Sequence, residues 1–548
     1  MNTEAVDVCL TIALMLDSRP VDEIHVMRKI VIDGSNTTGF QRTCIVSLGG
    51  GITVNGKKVP IQTICLEEDA ARKTGENGVT THYRLDRLCI PLVELATAPT
   101  IDSPEEAGEV ALAIGRVLRA TGRVAHGLGT IRQDLNISTR EGALIEVKGV
   151  QELELVPKVI EYEIQRQANL IRIRDELAKR GVGKEEFKND FLDVTEVFGK
   201  TKCKIIRDAI KEDKGVVLGV VLPKFGGLLK TELEPSISFG REIAEYAKFW
   251  GGVGGIFHTD ELPGFGITEI EVERLREVIQ ADNMDVVVIV ADRPEKVRDA
   301  LHAVVERAKM AVAGVQSETR GAYPDGTTHY SRPRPGAARM YPETDIPPVS
   351  ITEERLSRIR SQLPEMPDKK ISRLMSEYKI NRKLAIQMMN SDFTDLFERM
   401  AKEFKISATF MAAMLTETLK NLRREGVDVE KLTERHIEET FDLVDKAIAA
   451  KEAVPEVWTW LAQHEKATAE EAIRDLGLKM IPRNQLEAIV DRAVKENIEL
   501  VRRREEDAAN LLMGVIMRQV RGRVDAGLAN KILKIKIQKH LRETKKKR

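Results

Sequence analysis

The chain has 548 residues, which is too many for one hydrophobic core, so three or four domains are expected. Charged residues make up 31% of the chain, and 85 Lys and Arg nearly balance 86 Asp and Glu. This balance excludes a global basic field, so any nucleic-acid contact must come from a local patch. No apolar run approaches the ~20 residues of a membrane helix, and export is not expected from the first residues. Five scattered cysteines without a CxxC pair fit a reducing cytosol and give no support to a zinc ribbon.

The first third of the chain predicts an α/β arrangement in which short apolar runs are punctuated by glycine. Two β-rich runs, residues 45–48 and 52–54, precede the turn Asn55-Gly56. An Asn-Gly turn between β-rich runs is a strong hairpin signal. A half-buried strand is expected over residues 60–66, and it would deliver the acidic run 67–69 at its end.

Two helices and then a change of character follow. Ser103 precedes a Pro-initiated helical pattern, and a longer helix is predicted over about 157–180. Within about 190–310, the segments 216–222 and 284–290 are typical of buried strands, with helices between and after them. This part of the chain predicts a compact α+β module inserted into a larger domain.

The remainder divides into a loop-rich segment and a helical region. Residues 315–350 are rich in Pro, Gly, Arg and Tyr with little periodicity, and a loop of that length is usually functional or a linker. Beyond about residue 352 the sequence is almost wholly helical, and residues 483–541 are periodic in Leu, Ile, Val and Met.

The acidic run Glu67-Glu68-Asp69 is the first candidate for chemistry. Consecutive carboxylates repel one another unless a cation neutralises them, and hard oxygen ligands select Mg²⁺ or Ca²⁺. Lys73 follows within about one turn and is a candidate for binding phosphate. Taken alone, such a run favours a solvated acidic turn over a metal site, and the neighbouring charged residues are what support the metal site.

Three further acids occur in segments that resemble strands. Glu94 interrupts an apolar run and so needs a partner, while Asp134 and Glu146 alternate with apolar residues. With Arg132 and Lys148, they predict a sheet face that mixes carboxylates with cations, which is how a Mg²⁺–nucleotide site is built without a phosphate-binding P-loop. A structural lattice of ion pairs explains the same spacing equally well.

Other polar segments leave similar alternatives open. Residues 34–42 form a Gly-bounded loop that either lines a small-molecule site or is a surface turn, and the glycines 49–51 are expected to form a hairpin bend. Basic residues cluster near the C-terminus and form either solvated helix faces or a contact surface for RNA backbone. They are Arg502, Arg503, Arg504, Arg518, Arg521, Arg523, Lys531, Lys534, Lys536 and Lys539.

Several motifs, in order, resemble the B/E family of tRNA-dependent amidotransferases. These are Cys65–Lys73 (CLEEDAARK), Arg87–Glu94 (RLCIPLVE), Arg132–Ser138 (RQDLNIS), Glu146–Gly149 (EVKG) and Tyr341–Pro348 (YPETDIPP). The segment LPEMP at 363–367 resembles the start of the family's helical domain, and residues 486–525 resemble its YqeY-like tail. The resemblance covers nearly the whole chain.

The resemblance implies a multidomain α+β fold. Residues 1–189 and 311–351 would form a β-rich cradle domain that carries the kinase and amidotransferase site. Residues 190–310 resemble the GAD domain of bacterial aspartyl-tRNA synthetases, and this insertion favours the archaeal E type over the bacterial B type. Residues 352–430 would form an all-α helical domain, and residues 431–548 the tRNA-binding YqeY-like tail.

The resemblance also implies an activity. Family members use ATP and Mg²⁺ to phosphorylate the γ-carboxyl group of glutamate on tRNA(Gln), and ammonia from an asparaginase-like D-type partner then displaces the phosphate. By carry-over, Glu67, Glu68, Lys73 and Arg132 would be catalytic, and Lys73, Arg132 and Lys148 would bind the nucleotide. Glu67, Glu68, Glu94, Asp134 and Glu146 would hold the metal. The expected assembly is a cytoplasmic heterotetramer of two D-type and two E-type chains, without DNA or membrane contact.

One departure affects the expected activity. Family members begin with a strand resembling GLEIHxQL, whereas this sequence opens with Met1-Asn2-Thr3-Glu4, which matches an internal family helix. The chain is therefore expected to lack the opening part of the cradle, through a late start site or a partial reading frame, and to be impaired as a kinase. A tRNA-binding scaffold without chemistry and a bacterial B-type amidotransferase chain are the alternative interpretations.

Overall fold

The structure is a computed structural model of the chain. It describes residues 1–548 except 32–33, 35, 77–79, 126, 128, 212–214, 335–338, 505–506, 521 and 547–548. The chain divides into two compact units, Met1–Pro364 and Glu365–Arg548. The first unit is mixed α/β and the second is helical, as the sequence predicts at this level.

The strands of the described residues belong to the first unit. They are β1 (Arg19–Pro20), β2 (Glu23–Ile24), β3 (Met27–Ile30), β4 (Phe40–Leu48), β5 (Gly51–Val54), β6 (Lys57–Glu68), β7 (Arg72–Glu76), β8 (Thr81–Arg84), β9 (Pro91–Thr97), β10 (Gln133–Ile137), β11 (Ile145–Val150), β12 (Leu192–Asp193), β13 (Val216–Leu222), β14 (Glu232–Glu234), β15 (Ile237–Ser238), β16 (Phe257–His258), β17 (Val286–Asp292), β18 (Glu318–Ala322), β19 (Thr328–Pro333), β20 (Met340–Pro342) and β21 (Val349–Ser350).

The helices of the first unit are α1 (Thr3–Met15), α2 (Pro104–Ala120), α3 (Leu155–Lys179), α4 (Lys204–Lys211), α5 (Phe239–Gly251), α6 (Glu269–Ile279), α7 (Pro294–Ala313) and α8 (Glu353–Arg360). Those of the second unit are α9 (Pro367–Tyr378), α10 (Arg382–Met389), α11 (Thr394–Glu403), α12 (Ala408–Ala413), α13 (Leu419–Arg424), α14 (Glu434–Asp445), α15 (Val454–Leu461), α16 (Ala469–Asp475), α17 (Arg483–Glu496), α18 (Ile498–Arg504), α19 (Ala508–Val520) and α20 (Ala526–Lys546).

The first sheet is built around β6 and has the order β20-β3-β4-β6-β5, with β9 also paired to β6 and β1 to β4. All its pairings are antiparallel. The predicted hairpin is confirmed: Asn55 and Gly56 both have positive φ and join β5 to β6. Gly50 has a second requirement, because a Cβ there would lie 2.5 Å from the Leu16 carbonyl oxygen at the end of α1. The hairpin bend expected at residues 49–51 is therefore a close packing point.

The second sheet corrects the loop-rich prediction for residues 315–350. It has the order β10-β11-β18-β19, with β18 parallel to β11. Both β18 and β19 come from the segment predicted as loop, and so do β20 and β21, which pair with β3 and β2. These short strands lack the alternating pattern because polar side chains occupy both of their faces. β18 returns the chain to β11, and β20 and β21 return it to β3 and β2 near the start of the chain.

The third sheet, β12-β13-β17-β16, lies within residues 192–292. Its two long strands, β13 and β17, are apolar on both faces, and helices cover both sides. Val286, Val288 and Val290 pack with α3, α5 and α7, while Val287 and Ile289 pack toward α6. Burial on both faces explains the continuous apolar runs, and the predicted buried strands over 216–222 and 284–290 are confirmed to within two residues.

A buried ion network joins α3, α5, α7 and β18. Arg166 donates to Glu242 at 2.6 Å and to Glu318 at 2.8 Å, and all three side chains are at most 3% exposed. Arg307 and Arg320 also contact Glu242. The network ties the helices that flank the third sheet to a strand of the second sheet, so it fixes where β18 begins.

The described residues of the second unit form two apolar cores. One is formed by residues between Ile371 and Leu478, and the other by residues between Leu486 and Ile537. The first core extends across residue 430, where a boundary between helical and tail domains is predicted. None of the helices in the described part of the chain combines the length and apolarity that crossing a bilayer requires.

Candidate active site

The end of β6 places Glu67 and Glu68 between two neighbouring strands. In the register of the first sheet, Glu67 lies opposite Thr43 of β4 and Leu92 of β9. Successive residues of a strand point to opposite faces, so the two glutamates have different partners. The acidic run is therefore not a solvated turn, because each carboxylate is bound by protein groups.

Glu67 and Glu94 lie on one face of the sheet, and Lys29 reaches this face from β3. Lys29 Nζ donates to Glu67 at 2.6 Å, and the Glu67 side chain is only 9% exposed. Glu94 lies diagonally across from Glu67, because its register partner is Cys65. Desolvation by burial, followed by the negative charge of Glu67, raises the pKa of Glu94 to about 7, although Lys29 opposes the shift. Two carboxyl groups thus share one cation.

Glu68 is held by Arg42 of β4, which also binds Glu343. Arg42 Nη1 lies 3.3 Å from Glu68 Oε1 and its Nε donates to Glu343 at 2.9 Å. Arg28 also donates to Glu343, at 2.6 and 2.7 Å. These arginines, with Arg28 first, lower the pKa of Glu343 to about 2. β20 leads directly into Glu343, so the chain's return closes this side of the site.

Arg132 reaches the same strand end through Asp69. Its Nη2 lies 3.2 Å from Asp69 Oδ2, and Arg87 Nε lies 3.5 Å from the same oxygen. Asp69 is 6% exposed. The third acid of the run is thus buried between two arginines, and Arg132 is brought to the end of the strand that carries Glu67 and Glu68.

The second sheet carries Asp134, Glu146 and Lys148 on one face, which confirms that their alternation places them together. Lys148 Nζ donates to Asp134 at 2.7 Å and lies 3.1 Å from Glu146 Oε1. Glu146 also accepts a hydrogen bond of 2.8 Å from Thr319 Oγ1 on β18. Burial alone would raise the pKa of Glu146, but Lys148, Thr319 and Arg332 together lower it.

The two clusters lie close to one another. The negative charge of Asp134 on the second sheet contributes to the raised pKa of Glu94 on the first. Of the predicted metal set, Glu67, Glu94, Asp134 and Glu146 therefore lie in one acid–base region, whereas Glu68 points to the opposite face of β6, toward Arg42. In the part of the chain that the structure describes, no three His, Cys, Asp or Glu side chains form a group that could hold a metal ion as they stand. The metal assignment stays a prediction.

Lys73 is placed differently from the other predicted residues. It lies on the separate β7–β8 hairpin, where it is exposed and opposite Tyr83. Its assignment to catalysis and phosphate binding also stays a prediction.

The sequence reasoning missed residues that complete the region. Lys29, Arg42, Thr319 and Glu343 hold the predicted acids in place, while Asp69, already part of the acidic run, holds Arg132. The pairing of β4 with β6 would have signalled Arg42 as a partner for the acids of β6, had the register been known. Lys29 lies one strand further away, on β3, and is not opposite an acid. Thr319 and Glu343 lie in the segment predicted as loop, where no pattern indicated strands.

In the polar segment at 34–42, the side chains of Asn36 and Thr38 bond within the loop, whereas Gln41 and Arg42 reach the acids of β6. Asn36 Nδ2 donates to the Phe40 carbonyl at 2.7 Å, and Thr38 Oγ1 donates to the same carbonyl at 2.8 Å. This favours the surface-turn interpretation over a small-molecule site. Ser35 lies outside the described residues.

The basic residues near the C-terminus include several that are exposed. Arg503, Arg504, Lys531, Lys534 and Lys539 are exposed on α18 and α20. Lys536 is bound to Asp491 at 3.0 Å. Arg521 and residues 547–548 lie outside the described part of the chain.

Comparisons with known proteins identify the family. Residues 1–357 match the model of the GatB/GatE catalytic domain, and residues 395–537 match that of the GatB domain. The chain belongs to the GatB/GatE family. The catalytic-domain match contains the whole acid–base region described above.

Archaeal relatives of the GatB/GatE family match almost the full chain. The E subunit of the glutamyl-tRNA(Gln) amidotransferase of Methanocaldococcus jannaschii is 48% identical over 537 residues, which are 98% of this chain and 85% of the relative. The corresponding protein of Aeropyrum pernix, which has the same name, is 48% identical over 99% of this chain and 85% of the relative. The corresponding protein of Pyrococcus furiosus is 47% identical over 93% of this chain and 81% of the relative.

Proposed function

We propose that this chain is the E-type component of a glutamyl-tRNA(Gln) amidotransferase and converts glutamyl-tRNA(Gln) to glutaminyl-tRNA(Gln). The observation that carries the proposal is the acid–base region formed by two sheets within the segment that matches the GatB/GatE catalytic domain. Archaeal relatives with that name and 48% identity support it.

The chemistry requires activation of a carboxylate before ammonia can react. ATP transfers its γ-phosphoryl group to the γ-carboxylate of the tRNA-bound glutamate, and ammonia then forms the C–N bond while the C–O bond to phosphate breaks. Such a reaction needs positioning and electrostatic stabilisation, with no nucleophile from the protein. The region fits this requirement, since it consists of carboxylates and cations.

Mg²⁺ would bind on the carboxylate side of this region. Glu67, Glu68, Glu94, Asp134 and Glu146 are hard oxygen donors, and the Glu67–Glu94 pair shares a single lysine, which leaves negative charge for a cation to balance. When bound, Mg²⁺ neutralises developing phosphate charge. Arg132 and Lys148 would exchange their present carboxylate partners for phosphate oxygens, and Lys73 would join them from the β7–β8 hairpin.

The finer organisation is part of the same proposal. Residues 1–189 with 311–351 act as the cradle domain, residues 190–310 as a GAD-type insertion, residues 352–430 as the helical domain and residues 431–548 as the tRNA-binding tail. The exposed lysines of α20 support a tRNA contact. The partners are tRNA(Gln) charged with glutamate and an asparaginase-like D-type chain that supplies ammonia, in a cytoplasmic assembly of two D-type and two E-type chains.

The test is reconstitution with a purified D-type partner, glutamyl-tRNA(Gln), ATP, Mg²⁺ and asparagine or glutamine. Formation of glutaminyl-tRNA supports the proposal, and its absence overturns it. Glu68→Ala and Glu94→Ala should abolish amidation and leave tRNA affinity intact. Glu430→Ala, which removes an exposed partner of Arg423, is the control and should behave as the wild type. If the site variants amidate as fast as the control, the chain is a scaffold.

A further inference from the structure

A row of four side chains crosses the second sheet at Glu146. In register, Asn136 of β10 lies opposite Glu146 of β11, Glu146 opposite Thr319 of β18, and Thr319 opposite Arg332 of β19. Register partners project from the same face, with Cβ atoms about 4.5–5.5 Å apart. Two of the four residues therefore approach Glu146 from strands that follow the 190–310 module in sequence.

Thr319 and Lys148 hold the two oxygens of the Glu146 carboxylate separately. Thr319 Oγ1 donates to Oε2 at 2.8 Å, and Lys148 Nζ lies 3.1 Å from Oε1. Lys148 is 40% exposed and is shared with Asp134, whereas Thr319 is fully buried. The threonine hydroxyl is thus the fixed contact of this carboxylate.

The strand that carries Thr319 is itself anchored from its opposite face. The neighbours of Thr319, Glu318 and Arg320, point into the buried ion network, where Arg166 binds Glu318 at 2.8 Å. Arg320 Nε also donates to Thr328 Oγ1 at 2.7 Å, which links β18 to β19. Since both flanking side chains are fixed, the Thr319 hydroxyl has little freedom to shift relative to Glu146.

We infer that Thr319 is a positioning residue for the amidotransferase reaction: its buried hydroxyl sets the orientation of the Glu146 carboxylate. The inference rests on the proposed function of the acid–base region. Thr319 acts through Glu146 and, by the shared ion pair, through Lys148. A β-branched residue without the hydroxyl is expected to fill the same space while releasing the carboxylate.

The test compares Thr319→Val with Thr319→Ser in the complex reconstituted with the D-type partner. The valine has nearly the same shape but no donor, so kcat/KM should fall on the order of tenfold to hundredfold, the effect of losing a hydrogen bond to a charged group. The serine keeps the donor and should stay within about threefold of the wild type. The matched control is Thr11→Val, which removes a buried hydroxyl that donates to the Asp7 carbonyl of its own helix.

Rescue by serine and the split between kcat and KM separate positioning from a general structural effect. A disoriented Glu146 carboxylate should lower kcat, while KM for glutamyl-tRNA(Gln) and the melting temperature of Thr319→Val stay near the wild-type values. Equal losses of kcat in the valine and serine variants, or a valine variant with the wild-type kcat, overturn the inference. A wild-type complex that makes no glutaminyl-tRNA overturns the proposed function and the inference with it, so the two failures are distinguishable.

Discussion

The buried ion network of the first unit should be sensitive to the loss of a single charge. Glu242 accepts hydrogen bonds from Arg166 at 2.6 and 3.1 Å and from Arg307 at 3.0 Å, and Arg320 Nη1 lies 3.3 Å away. All of these side chains are at most 3% exposed. Glu242→Gln keeps the shape but removes the charge that three arginines share, and its amide group turns a donor toward them.

The expected loss of stability follows from the burial of that charge. Removing one partner of a buried ion pair costs about 3–5 kcal/mol, because the remaining charge is left uncompensated away from water. Stabilities of folded domains are about 5–15 kcal/mol, so the loss is a large fraction of the total. At about 2 °C per kcal/mol for a large unit, the melting temperature of the first unit should fall by roughly 6–10 °C.

Scanning calorimetry of the purified chain measures this shift. The control is Glu434→Gln, which breaks an ion pair with Arg399 whose side chains are 61% and 48% exposed, and it should change stability by less than about 1 kcal/mol. The double variant Glu242→Met, Arg307→Met restores the charge balance and should recover part of the loss. A shift below about 2 °C in Glu242→Gln, or a double variant less stable than the single one, would refute the reasoning.

Three further predictions concern titration and RNA binding. The pKa of Glu343 is about 2 in the folded chain and 4.5 ordinarily, so its contribution to stability is present above pH 4.5 and is lost as pH falls toward 2. Glu343→Gln should therefore make the free energy of unfolding less dependent on pH in that window. An unchanged pH dependence contradicts the assignment. Glu94 has a pKa of about 7, so Mg²⁺ binding at about pH 7 should release about half a proton. Titration calorimetry in buffers of different ionisation enthalpy measures this release, and Glu94→Gln should abolish it. Replacing the exposed Lys531 and Lys534 by Gln should weaken tRNA binding and lower the log–log salt slope by about 2, while Lys431→Gln, whose partner is Glu465, should leave the slope unchanged.

The sequence predicted well where one local signal dominates. The Asn55-Gly56 turn, the Ser103 cap of α2 and the apolar runs of β13 and β17 all appear as expected, because each depends on residues close in the chain. The same holds for the face of the second sheet, since period-two alternation alone brings Asp134, Glu146 and Lys148 together.

The predictions that failed concern strands and contacts that pair distant segments of the chain. β18, β20 and β21 form within residues 318–350 because they pair with β11, β3 and β2, and no local sequence pattern indicates this pairing. The partners of the predicted acids were missed for the same reason. Glu343 joins the region through contacts such as that with Arg28, which is 315 positions away in sequence. Lys29 joins it through the position of β3 in the sheet.

The contact between β3 and β20 has a consequence for synthesis on the ribosome. Arg28 must wait until Glu343 has been made, a separation of 315 residues. At about 5–20 residues per second, that wait is on the order of 15–60 s. Throughout it, one edge of β3 presents open backbone hydrogen-bonding groups, as an uncovered sheet edge does. Residues 190–310 emerge and can fold during that interval, so this sheet is among the last parts of the first unit to be completed and the most exposed to chaperones before it closes.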